Sequence, residues 1–138
     1  MPSLPSASGR SARSDGGDGG AAVVDFVLVG ALVTLIFMSL VQLGLVLHVR
    51  NTLISCATEG ARLGALADRT PGDGAQRAKD LITADLSAAY AQDVQGGTEQ
   101  AAGLDTVVVR VRAPLPVIGL IGIADTIVVS GHSVREAP

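Results

Sequence analysis

Gly19 to Val33 reads GGAAVVDFVLVGALV and places one acid, Asp25, just inside a long apolar run. An unpaired carboxylate is costly in hydrocarbon, so it is neutralised, paired or exposed to water. One reading puts Asp25 in the headgroup layer, with the apolar span beginning at Phe26. The other gives it a partner of opposite charge. Elsewhere the candidate chemistry is sparse. His48 and His132 are far apart and have no Cys, Glu or Asp at ligand spacing, so no metal site is expected. Cys56 is the only cysteine, which rules out an intrachain disulfide and a Cys-rich metal centre. The GDGG and PGDG stretches are too short and isolated to cradle a phosphate. Ser130-Gly131-His132 lacks the GxSxG frame of a nucleophile elbow. No catalytic constellation emerges, and neither an enzyme activity, a cofactor nor a small-molecule substrate is expected.

Composition points to the bilayer instead. The chain has 138 residues, 48% hydrophobic but only 2% aromatic, and its mean hydropathy is +0.46. That is high for a soluble domain and suggests a membrane segment. The net charge of -3 is modest, and with no Trp and one Tyr there is little to stack on bases. Nucleic acid is therefore not an expected partner.

Residues 1–20, MPSLPSASGRSARSDGGDGG, are Pro, Ser, Gly and Asp with almost no apolar content, and read as a disordered leader. Phe26 to Leu47 then carries no charge, with Thr34, Ser39 and Gln42 its only clearly polar members. About 20 such residues cross a bilayer as a helix. This core is too long for a cleaved secretory signal, so a retained anchor is expected. Helical periodicity continues without proline through HVRNTLISCATEGARLGALA, so one helix is predicted over 21–67, roughly 70 Å at 1.5 Å per residue. Within it, Glu59 and Arg62 can pair on an exposed face. Cys56, Gly60 and Gly64 form one ridge of small residues, and Ala57, Ala61 and Ala65 another. Such a face admits another helix closely, from this domain or from another subunit.

Residues 68–138 make a small second domain. Asp68 to Gly74, DRTPGDG, reads as a turn. A short amphipathic helix follows, with Ala78, Leu81, Ile82, Leu86 and Ala89 on one stripe. VQGGTEQAAG reads as a loop. Asp105 to Ala113 alternates Val107, Val109 and Val111 with Val108, Arg110 and Arg112, and is a predicted strand, as is Asp125 to Val134. The apolar link between them, PLPVIGLIGIA, is expected to fold back over the sheet. An exposed patch for a partner or the membrane is the sharper reading. The fold class is therefore α+β: a long N-terminal transmembrane helix continuing into a small domain with a second helix and a short β-sheet of about two strands.

The start of the helix resembles the class III signal of type IV pilin precursors. In those precursors a membrane aspartyl peptidase cuts after a glycine, and a carboxylate follows at the fifth mature position. Cut after Gly20, this chain would begin at Ala21, with Asp25 fifth and Phe26 sixth. The usual acid is Glu; Asp25 keeps the charge with a shorter arm. Taken with Ala57-Thr58-Glu59-Gly60-Ala61-Arg62, an A-x-E-G-A-R segment, the stretch is similar to the TadE-like family of tight adherence (Flp, type IVb) pilus systems. The resemblance implies a pseudopilin or minor pilin in pilus assembly. It implies Gly20 and Ala21 as the processing site, Asp25 and Phe26 as the acid-Phe motif, and Glu59, Gly60, Ala61 and Arg62 as its A-x-E-G-A-R segment, which with Gly64 makes up the helix-packing segment read from the small ridges. The implied partners are the lipid bilayer, a prepilin peptidase, other pilins or pseudopilins and the assembly platform. It also implies a cytoplasmic leader and an extracytoplasmic C-terminal domain, a topology the basic residues do not fix. The alternative is a single-pass membrane-anchored accessory subunit or ligand-binding module unrelated to pili.

Overall fold

The computed structural model describes residues 1–6, 9, 16–116 and 126–137. Its elements are helix α1 (Gly16–Gly64), helix α2 (Pro71–Asp85), a single 3-10 turn (Ala88–Ala91), and strands β1 (Asp93–Ala101), β2 (Leu104–Pro114) and β3 (Thr126–Val134). The architecture is α+β, with three strands where two are expected from sequence. Internal contacts divide the chain into two units, Met1–Ser39 and Leu40–Pro138.

In the first unit, residues 1–6 and 9 carry no helix or strand, and α1 starts at Gly16. The leader is therefore not unstructured up to Gly20, because its last five residues form the first turns of α1. Four of those five are glycine, each costing about 1 kcal/mol against Ala. They are carried by propagation from the apolar segment behind them, which is far easier than nucleating a helix. Thr34 and Ser39 would be orphaned polar groups in lipid. Their hydroxyls donate back to the carbonyls of Gly30 and Leu35, both at 2.8 Å.

In the second unit, β1, β2 and β3 form an antiparallel meander in that order. Register pairs Val94 with Val111, Val109 with Gly131, and Val111 with Val129. Directly paired residues point to the same side, so Val94, Val107, Val109, Val111, Ala113, Ile127 and Val129 line one face. These seven are buried. Against that face pack α1, through Val49, Leu53, Cys56, Ala57 and Ala61, and α2, through Ala75, Ala78 and Ile82. Arg110 and Arg112 lie on the opposite face, exposed as the alternation predicts. Val108 shares that side yet is only 3% exposed.

Three sequence expectations change here. VQGGTEQAAG is not a loop, since Asp93–Ala101 pairs along its whole length with β2. Only Val94 in it is buried, so an edge strand held by backbone pairing shows no apolar alternation to read. Ala102 and Gly103 close the β1–β2 hairpin, with φ of 52° and 78°. Positive φ at both positions suits a two-residue hairpin turn, although Ala is an unusual choice for it. Second, α1 ends at Gly64 rather than Ala67, and residues 65–68 turn. Third, PGDG belongs to α2, with Pro71 at its first position. The Thr70 hydroxyl accepts from the Asp73 N–H at 3.2 Å, and the Asp73 carboxylate accepts from the Thr70 N–H at 2.9 Å. This reciprocal cap starts the helix seven residues before Ala78, the first member of the apolar stripe. Most of the apolar link PLPVIGLIGIA lies outside the described residues.

Candidate functional site

Two groups of residues were expected to carry function, and they lie in different units. Gly20, Ala21, Asp25 and Phe26 sit on α1 in the first unit, and every one is exposed. Phe26 is 78% exposed. From Ala21 to Val41 no residue of α1 is covered. The most apolar 18-residue window of this helix has a mean hydropathy of 2.5. By length and composition, an apolar helix bare on all sides is able to cross a membrane. Nothing lies within 4 Å of a Cβ built on Gly20. Any need for glycine there must therefore come from what docks on it.

The second group, Glu59, Gly60, Ala61, Arg62 and Gly64, forms the end of α1. Glu59 and Arg62 point outward and pair at 3.5 Å, a solvated contact of small energetic weight. Gly60, Ala61 and Gly64 point inward and are buried. A Cβ on Gly60 would stand 2.5 Å from the Gly74 carbonyl oxygen and 2.9 Å from the Ala78 Cβ. One on Gly64 would stand 3.1 Å from the Thr70 carbonyl oxygen and 3.2 Å from a Val107 methyl. The small-residue face is thus occupied from within the chain, by α2 and β2. Its counterparts were not singled out from sequence. Gly74 on α2 meets Gly60, Gly96 on β1 meets the Pro71 backbone, and Gly131 on β3 meets the backbone of Ala57 and Thr58. Of these, only Gly131 stands inside a predicted strand, where a glycine marks a close backbone approach.

The remaining polar groups assemble no reactive centre. Cys56 is buried, and its thiol lies 3.8 Å from an Asp85 carboxylate oxygen. Burial pushes the thiol pKa up, and the Asp85 charge adds to that, so the thiol stays protonated and inert. His48 and His132 are both exposed. Among the described residues, no three His, Cys, Asp or Glu side chains come together as a metal site.

The matched family now bears on the same residues. The model of the family described as TadE-like protein matches residues 20–62. Residues 20–62 are thus similar to the TadE-like family. The match opens on Gly20 and closes on Arg62, so it takes in the acid-Phe start and the A-x-E-G-A-R segment together. It supports a protein related to tight adherence pili in general. No curated protein and no solved structure matches the chain. The matched segment joins the bare apolar helix to the portion of α1 that packs under the sheet.

Proposed function

We propose that this chain is a minor pilin or pseudopilin that takes part in assembling a tight adherence pilus. In this reading a prepilin peptidase cuts after Gly20, and the chain from Ala21 onward is held in the membrane by α1. The leader lies on the cytoplasmic side and the folded C-terminal unit on the other. Its partners are the bilayer, the peptidase, other pilins and the assembly platform. The folded unit makes the chain more than a bare helical fibre subunit.

The observation that carries the reading is the place of Asp25. It stands on an uncovered apolar helix, five positions beyond the glycine on which the family match opens. Cleavage there would create a positive amine on Ala21, one helical turn from the carboxylate. An amine and a carboxylate cost less buried together than either does alone. Bundled helices can supply that pairing within one subunit or between two. The glycine-rich turn ahead of Ala21 is also the weakest part of α1, so unwinding it for a peptidase takes little.

The test is mass spectrometry of the membrane-associated protein in a host that carries the peptidase. A chain beginning at Ala21 is expected, and Gly20→Leu should accumulate uncut. Recovery of only the intact precursor would overturn the processing step.

A further inference from the structure

We infer that the end of the sheet fixes the outer lipid boundary of α1 at Val41, so that hydrocarbon begins at about Ala22 rather than at Phe26. The inference rests on the reading of α1 as a membrane anchor. By sequence alone, the apolar run from Phe26 to Leu47 would fill the bilayer and leave Asp25 among the headgroups. The folded unit does not permit that placement.

Gln42 lies within the apolar run, and its side-chain Nε2 donates to the Pro116 carbonyl at 2.8 Å. Pro116 lies two residues past the end of β2, whose Pro114 pairs with Thr126 at the start of β3. The end of the sheet therefore stands level with Gln42. From this point α1 acquires a covered stripe. Gln42, Leu45 and Val46 are half-buried, and Val49 and Leu53 are buried, the spacing of a helix face packed on a core. Leu115 joins the same core. Pro114 and Thr126 are exposed. Strand ends and irregular backbone cannot lie against lipid chains, because their unpaired N–H and C=O groups find no water there.

Hydrocarbon must therefore stop short of Gln42. A core about 30 Å thick takes about 20 residues of helix. Counted back from Val41, that span begins at about Ala22. Asp25 then lies roughly 5 Å inside the hydrocarbon, at 1.5 Å per residue. A carboxylate at that depth needs a partner, and the headgroup placement no longer supplies water for it.

Single cysteines in the full chain test this, with Cys56→Ala as background and membranes opened so that both faces are reached. Ser39→Cys, Gly44→Cys and Leu47→Cys all fall at exposed positions, and nothing lies within 4 Å of a Cβ on Gly44. The probe is a charged maleimide, which reacts with the thiolate and so requires water. Gly44→Cys and Leu47→Cys should react roughly tenfold or more faster than Ser39→Cys. Gly44→Cys as slow as Ser39→Cys would overturn the boundary while leaving the anchor intact. Rapid reaction at all three sites, with release of the protein by alkaline carbonate, would overturn the anchor itself. Should Cys56→Ala unfold the domain, the native background serves, because Cys56 is only 3% exposed.

Discussion

A methyl group on Gly60 would sit 2.5 Å from the Gly74 carbonyl oxygen, which is backbone and cannot swing aside. α1 and α2 would have to separate, and both also pack on the sheet. Gly60→Ala is therefore predicted to destabilise the folded unit by about 1–3 kcal/mol, the usual cost of overpacking. Gly44→Ala, with open space around its Cβ, should be neutral or slightly stabilising through helix propensity. Urea denaturation of the full chain in detergent, followed by protease resistance of the C-terminal unit, measures both. A Gly60→Ala chain that is fully stable but no longer associates with a partner pilin would instead assign this face to assembly.

At the scale of elements, the start of α2 governs how that packing is reached. Gly74 meets Gly60 only if the helix begins at Pro71, and the Thr70–Asp73 cap fixes that start. Thr70→Ala should cost about 1 kcal/mol. The cap is also pH-dependent. Hydrogen bonds from the Thr70 N–H and hydroxyl hold the Asp73 carboxyl below its ordinary 3.8. Because the folded pKa is the lower one, the stabilisation is present above about pH 4 and is lost as pH falls through the folded value. Denaturation midpoints between pH 5 and pH 2 should thus fall less for Asp73→Asn than for the parent. An identical acid dependence in the two chains would show that the cap does not titrate as described. The chain's other end is tied down nearby, with the Glu136 N–H donating to the Ala65 carbonyl at 2.9 Å just past the end of α1.

For the whole molecule, the question is what Asp25 does once α1 is in lipid. If its carboxylate compensates the Ala21 amine, Asp25→Ala should still insert and be cut after Gly20. Assembly should fail, since a lone ammonium left in a helix bundle costs several kcal/mol. Asp25→Glu should restore it, because charge and hydrogen-bonding capacity are kept. Surface piliation of a deletion strain complemented with each variant, with processing checked on the same samples, gives the answer. Normal pili from processed Asp25→Ala protein would sink the compensation account.

The sequence by itself determined an apolar helix long enough to cross a membrane, its helical continuation, the amphipathic stripe of Ala78 and Ile82, and the Val107-Val109-Val111 strand. Each is a local pattern of apolar spacing, and such patterns survive without knowledge of neighbours. The acid-Phe start and the A-x-E-G-A-R segment were legible for the same reason, being contiguous in the chain. Tertiary structure alone decided that Asp93–Ala101 is a strand, because β2 needed a partner for its open backbone groups and an edge strand needs little apolar content. It also decided what the small face of α1 meets. Gly60 and Gly64 announce a close approach but not its partner, and Gly74 and Gly96 carry no label until the chain folds. Gln42 is the sharpest case. In the sequence it is a polar interruption of an apolar run, and only the placement of Pro116 beside it makes it the first residue of the covered stripe of α1.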